Sequence, residues 1–217
     1  MERTERIVLV AATMNEHKIA EISAIAGSFG YAVVSREAAG APDFEVEETG
    51  ATFEENSLIK ARAIFDYIGG EAAVVADDSG IEVDALGGAP GVLSARYAGP
   101  EELDLYIAGD GQERRSRQDR ANNAKLLRLL ADVPQGRRTA RFVSVITCLR
   151  PDAAPIVCRG EVEGNIDFAE TGEAGFGYDP LFIPVGYGYS FGMFAPEDKN
   201  AISHRGRALA LLAEKLG

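Results

Sequence analysis

Ile7-Val8-Leu9-Val10-Ala11-Ala12-Thr13-Met14-Asn15-Glu16-His17-Lys18 sets the architecture of this chain. The apolar run from Ile7 to Ala12 reads as a buried strand in a sheet covered on both faces. Thr13-Met14-Asn15 is a polar break. From Glu16 a helical period begins, with Ile19, Ile22, Ile25 and Ala26 on one face and Gly27 and Gly30 ending it. Tyr31 to Ser35 then reads as a second strand. The opening unit is thus strand, polar loop, helix and strand.

The remaining chain extends this pattern. Residues 37–51 are acidic and loop-like. Thr52 with Glu55 three residues on is a capping-box signal, and it predicts a helix from Phe53 to Ile68 with Leu58, Ala61, Ile64, Phe65 and Ile68 inward. Ala72 to Ala76 reads as another buried strand that runs into Asp77-Asp78-Ser79-Gly80. A glycine-rich turn spans Gly87 to Gly91, and residues 99–119 are polar, with a basic run from Arg114 to Arg120. A helix is predicted from Arg120 to Leu130 with Ala124, Leu127 and Leu130 inward. Residues 139–150 and 155–167 read as paired strands joined at Pro151-Asp152, and Tyr178 to Ile183 as a short strand. Ser203 caps a last helix carrying Leu209, Leu212 and Leu216.

Composition narrows the class. The chain has 217 residues, 46% hydrophobic and 26% charged, the balance of a globular protein. This length, residues 1–217, fits one large domain or two interleaved lobes. The formal charge is −12, from 22 basic and 34 acidic residues, which opposes extended contact with nucleic acid. No apolar stretch reaches the ~20 residues that cross a bilayer. The polar start from Met1 to Arg6 is no secretory signal, so a soluble, cytoplasmic protein is expected. Cys148 and Cys158 lie in apolar β-like runs and read as reduced, buried thiols. With two histidines in the chain, a His-based zinc site is not expected.

Four segments carry chemistry. The loop from Thr13 to Lys18 joins a strand to a helix N-terminus, where free N–H groups and a lysine suit a phosphate; an ordinary N-cap uses the same residues. Asp77-Asp78, together with Glu47-Glu48, offers hard oxygen ligands for Mg²⁺; a solvated acidic loop is the plainer reading of Glu47-Glu48. In Gly175-Phe176-Gly177-Tyr178-Asp179-Pro180, glycines admit a flat ligand, two aromatics can stack on it and Asp179 can accept hydrogen bonds; a glycine-rich turn with core aromatics is the plainer reading. Lys199 and Ser203-His204-Arg205-Gly206 put cations near a helix start, against the macrodipole, which suits either an anionic ligand or a solvated basic face.

These segments together resemble the inosine triphosphate pyrophosphatases, the HAM1-like XTP/dITP pyrophosphatase family. The resemblance runs from Ile7 to Leu216. It rests on Glu47-Glu48-Thr49-Gly50-Ala51-Thr52-Phe53-Glu54-Glu55-Asn56 with Lys60-Ala61-Arg62, Ala76-Asp77-Asp78-Ser79-Gly80-Ile81, Leu86-Gly87-Gly88-Ala89-Pro90-Gly91 with Ser94-Ala95-Arg96-Tyr97, Phe176-Gly177-Tyr178-Asp179-Pro180, and Ser203-His204-Arg205-Gly206.

The resemblance implies an α/β fold: a long twisted mixed sheet flanked by helices, in two lobes with a cleft between them. It implies Mg²⁺-dependent hydrolysis of ITP, dITP and XTP to the monophosphate and pyrophosphate, which keeps these nucleotides out of DNA and RNA, and a homodimer. By the same resemblance Asp78 is the general base and a metal ligand, and Glu47 is the other metal acid, with Glu48 the alternative. Thr13, Asn15, Lys18, Lys60 and Ser79 hold the triphosphate. Phe176, Gly177, Tyr178 and Asp179 bind the base; Lys199, His204 and Arg205 read its 6-oxo edge. Two departures stand out: Met14 replaces a small residue, and residues 100–119 form a longer connection than usual. Pyrophosphatases of the Maf type and a nucleotide sensor without hydrolysis are the alternatives.

Overall fold

In a computed structural model of the chain, residues 7–41, 44–99 and 111–217 are described. Among them the elements run β1 (Val8–Ala11), α1 (Glu16–Ser28), β2 (Ala32–Ser35), α2 (Phe53–Tyr67), β3 (Ala73–Val83), α3 (Gly111–Leu129), β4 (Thr139–Leu149), β5 (Ile156–Ile166), β6 (Phe182–Pro184), α4 (Pro196–Ile202) and α5 (His204–Leu216). The strands form one six-stranded sheet in the order β2-β1-β3-β4-β5-β6. β1 pairs parallel with β2 and with β3, whereas β5 and β6 are antiparallel, so the sheet is mixed and the fold is α/β.

Two compact units are built from separate pieces of chain. The first comprises Met1–Ser79, Ser144–Glu161 and Ile202–Gly217; the second comprises Gly80–Val143 and Val162–Ala201. In the first unit both sheet faces are covered, as the continuous apolar runs require. Leu9, Val75, Ile146, Cys148 and Cys158 pack with Ile22 and Ile25 of α1 and Ala208, Leu209 and Leu212 of α5. Val10, Ala12, Val74, Ala76 and Leu149 pack with Ala61 and Ile64 of α2. Both cysteines are free and buried, and burial pushes the Cys148 thiol up to about 11. In the second unit Phe142, Phe182, Phe191 and Phe194 form an aromatic cluster with centroid separations of 4.7–6.2 Å. Among the described residues no helix is long and apolar enough to cross a membrane.

Several expectations are corrected. Asp77-Asp78-Ser79-Gly80 do not follow β3; they lie within it, because the strand continues to Val83. Gly27 sits inside α1, and the left-handed turn falls at Gly30, φ +88°. The basic run belongs to α3, which starts at Gly111 rather than Arg120: Arg, Gln and Glu favour helix without any apolar period to reveal it. The buried face of α3 is also different. Ala124 is exposed, and Asn122, Asn123, Leu126 and Leu130 point inward. Of the expected 100–119 insert, residues 100–110 lie outside the described residues and the rest is helical. Tyr178 to Ile183 is strand only from Phe182, after a 3₁₀ turn over Asp179–Leu181. At the start of α2, Thr52 accepts from the Glu55 amide at 3.1 Å, but Glu55 reaches back to Ala51 N–H at 2.6 Å, one residue before the usual capping-box position.

Candidate active site

β1 stops at Ala11, opposite Val75, and β3 runs on past it. The ending strand is therefore β1, and Asp77-Asp78-Ser79 continue beyond its end. The loop after β1 is tied there by Ala12 N–H donating to Val75 carbonyl at 2.8 Å. Its own geometry is that of an N-cap. Asn15 Oδ1 accepts from the amides of His17 and Lys18 at 3.0 and 3.3 Å, and Asn15 N–H donates to Thr13 Oγ at 3.1 Å. These bonds fix the loop and the start of α1, from which Lys18 reaches Asp77.

Successive side chains of a strand point to opposite faces, and the two aspartates diverge accordingly. Asp77 faces α1 and α5 with no exposed side-chain surface. Lys18 Nζ lies 2.8 Å and Arg205 Nη2 3.0 Å from its Oδ2. The Ser79 hydroxyl donates to the same oxygen at 3.0 Å, and Ser144 Oγ donates to Oδ1 at 2.6 Å. Burial alone raises the carboxyl pKa, but the Arg205 and Lys18 cations and these hydrogen bonds hold it well below the usual range. Burial lowers the Lys18 pKa against the pull of Asp77.

Arg205 is 1% exposed. It pairs with Glu21 of α1 and Asp77 and donates to Ser79 Oγ at 2.9 Å. Those carboxylates explain how a cation survives at the start of α5, where Ser203 Oγ accepts from the Gly206 amide at 3.0 Å. His204 is buried as well. The plainer reading, a solvated basic face, is therefore excluded.

Asp78 faces α2. Lys60 Nζ lies 2.5 Å from its Oδ1 and 3.5 Å from Glu48 Oε1. Its other oxygen, Oδ2, is buried and has no hydrogen-bond partner. Burial raises the Asp78 pKa, Lys60 and Lys18 oppose the shift, and Glu48 adds to it. Glu47, one residue earlier, is exposed. Asn56, one turn before Lys60 on α2, accepts from Gly50 N–H at 2.8 Å and so ties this acidic loop to the same helix.

The segment expected to receive the base lies in the second unit. Asp179 Oδ2 accepts from Phe176 N–H at 2.8 Å and from Lys199 Nζ at 2.6 Å. Lys199 also lies 4.9 Å from the Phe176 ring centroid. Gly175 has φ +78°, and a Cβ there would strike the Asp179 carboxylate, so the turn requires glycine. Tyr178 is 4% exposed, and its hydroxyl donates to Ser94 carbonyl at 2.8 Å. Burial raises its pKa. Its ring serves as the anchor of the segment, whereas Phe176 is only half-buried.

The structure thus brings Thr13, Asn15, Lys18, Lys60, Asp78, Ser79 and Arg205 into contacts within one unit, and Phe176, Tyr178, Asp179 and Lys199 within the other. A family model matches residues 9–215 and describes the Ham1 family. The chain belongs to the Ham1 family.

This Ham1 chain is 47% identical over 214 residues to the dITP/XTP pyrophosphatase of Mannheimia succiniciproducens, covering 96% of this chain and 98% of that one. It is 45% identical over 211 residues to the dITP/XTP pyrophosphatase of Pseudomonas aeruginosa, covering 96% of each. The Ham1 protein of Staphylococcus aureus superposes with TM-score 0.78 at 39% identity, covering 96% of this chain and 97% of that structure. A HAM1 protein from Coxiella burnetii gives TM-score 0.78 at 35% identity, over 97% and 98%.

Motif reading of this Ham1 sequence passed over Glu21, Ser144, Asp119 and Asn123, and gave Asn56 no role of its own within its motif. Some signals were present. Glu21 stands three residues after Lys18, on the same face of a helix. Ser144 and Thr147 interrupt the apolar run of β4, and a polar residue in a fully buried strand needs a partner. Asp119 and Asn123 gave no signal, because polar helix residues are ordinarily solvated.

Proposed function

We propose that this chain hydrolyses dITP, XTP and ITP to the nucleoside monophosphate and pyrophosphate, with Mg²⁺. The observation that carries the mechanism is Asp78, a buried carboxylate with one oxygen held by Lys60 and the other without a partner. The substrate class rests on the curated dITP/XTP pyrophosphatases that this chain matches over nearly its whole length.

The residues fit a magnesium ion. Asp78 Oδ2 is an orphaned hard oxygen, and Glu48 approaches the same lysine from the acidic loop. Among the described residues no three His, Cys, Asp or Glu side chains gather as a metal cage. That suits Mg²⁺, which takes one or two carboxylates and completes its shell with water and phosphate oxygens. Asp78 with Glu48 or Glu47 would hold it. When bound, the ion neutralises charge that builds on the phosphates as the α–β bond breaks.

The protein's own groups do the rest. Asp78 orients the attacking water and accepts its proton. Lys60 keeps the carboxylate turned toward that water. Lys18, held by Asp77 and Asn15, supplies a fixed positive charge to the triphosphate, supported by Thr13 and Ser79. Phe176 and Gly177 receive the purine, with Tyr178 and Asp179 shaping the turn. Lys199 and His204 supply donors that suit a 6-oxo group and would leave adenine's amino group facing another donor, while Arg205, engaged by Glu21, Asp77 and Ser79, holds the start of α5. Such hydrolysis would remove these nucleotides before they are built into DNA or RNA. A homodimer is proposed with it, to be tested by sedimentation equilibrium.

Pyrophosphate release from ITP, XTP, dITP, GTP and ATP, with Mg²⁺ and then with EDTA, tests the whole reading. Fast release from the first three alone, abolished by EDTA, is expected. Equal rates on ATP would refute the substrate class, and activity persisting in EDTA would refute the metal.

A further inference from the structure

The base-binding turn is gripped by a helix that carries no recognised motif. Gly177 N–H donates to Asp119 Oδ2 at 2.9 Å, and Gly177 carbonyl accepts from Asn123 Nδ2 at 3.1 Å. Asp119 and Asn123 are four residues apart on α3, hence on one face of it. Asn123 is 3% exposed and also donates to Glu170 Oε1 at 2.6 Å, so its amide is held rigidly. On the next residue the Tyr178 hydroxyl is bound to Ser94, while Asn122 of α3 donates to the Ser94 carbonyl at 3.2 Å. Gly177 itself has φ +60°, and nothing stands within 4 Å of where its Cβ would be. As a glycine it has a wider range of backbone conformations than any other residue, which ties to its two polar groups narrow.

We infer that Asp119 and Asn123 are positioning residues: they clamp the Gly177 peptide and thereby set affinity and selectivity for the purine. The inference rests on the proposed role of Phe176–Asp179 in binding the base. Neither side chain needs to touch the nucleotide. Each removes a backbone rotation that would otherwise be frozen on binding, so the loss of either one weakens the base and leaves the phosphates alone.

The test separates base from phosphate. Affinities for IMP and for inorganic tripolyphosphate are measured by calorimetry with Mg²⁺ for wild type, Asp119→Ala, Asp119→Asn and Asn123→Ala. IMP affinity should fall about tenfold in both alanine variants, the equivalent of one lost ordering hydrogen bond. Tripolyphosphate affinity should stay within about twofold, since it has no base to place. Asp119→Asn keeps a carbonyl acceptor and should recover most of the loss. With nucleotide substrates, KM for ITP should rise more than kcat falls. Unchanged IMP binding in the alanine variants overturns the clamp. So does an equal loss for both probes, which marks a general structural defect, and so does an Asp119→Asn variant as weak as Asp119→Ala. Failure of the wild type itself to bind IMP would instead refute the base-binding reading on which the clamp depends.

Discussion

Asp77 and Asp78 are neighbours in one strand, yet they face different worlds. Asp77, on the α1 and α5 face, has two cations and two hydroxyls around it. Asp78, on the α2 face, has one lysine and a bare buried oxygen. Their pKa values move in opposite directions for that reason. A saturated carboxylate organises its surroundings; an unsaturated one is available for chemistry. Environments that push two acids apart mark the division of roles.

Substitutions can break this contrast. The largest effect is expected from Asp78→Asn: kcat on ITP should drop by about 10²–10⁴, the usual worth of a general base, with the melting temperature kept or raised. A variant with wild-type kcat would remove Asp78 from the mechanism. Asp77→Asn should behave in the reverse sense, destabilising the fold by about 3–5 kcal/mol in urea unfolding, because Arg205 and Lys18 lose a buried counter-charge. A change below ~1 kcal/mol would show that Glu21 suffices for Arg205.

The pH dependence of stability, followed in EDTA, sharpens the same contrast. Asp77 titrates below its usual value, so it contributes stability fully present above the usual range and lost as pH falls through its depressed pKa. Asp78 titrates above its usual value, so its ionisation in the folded state costs stability, and that cost is relieved as pH falls through the raised pKa. Asp77→Asn should flatten the acid limb of the stability curve, and Asp78→Asn should flatten the part above the usual carboxylate range. Identical curves for the two variants would refute the opposed shifts.

The smallest effect belongs to Arg141 in the second unit. It also meets three acids, Glu82, Asp84 and Glu163, at 3.0–3.4 Å, but its side chain is 28% exposed. Arg141→Ala should cost no more than about 1 kcal/mol in urea unfolding, the scale of exposed pairs. A cost like that of Asp77→Asn would show that geometry rather than burial sets the strength of these networks.

Much of the site was legible because its residues are unusual for their local setting. Cations at the start of α5, adjacent acids after an apolar run and glycines flanking aromatics each need a partner, which the fold itself supplies for Arg205 and Gly175. The continuation of β3 through Asp77-Asp78-Ser79-Gly80 was not legible. Those residues disfavour strands, and only pairing within the sheet overrides that preference. The inward phase of α3 was missed for a related reason. Asn122 and Asn123 are polar and look solvated, yet backbone carbonyls at Ser94, Ala95 and Gly177 accept from their amide nitrogens inside the fold.

The sequence by itself determined the opening strand–loop–helix–strand unit and the family motifs, through whose resemblance the α/β class was expected, and hence which residues carry charge and aromatic surface. Those follow from short-range periodicity and residue chemistry, which a single chain displays directly. The tertiary structure decided which face each aspartate takes, which lysine each one meets, and that α3 holds Gly177. Those depend on strand register and on which helix covers which face, contacts between residues as far apart as Asp77 and Arg205, whose proximity no local pattern encodes.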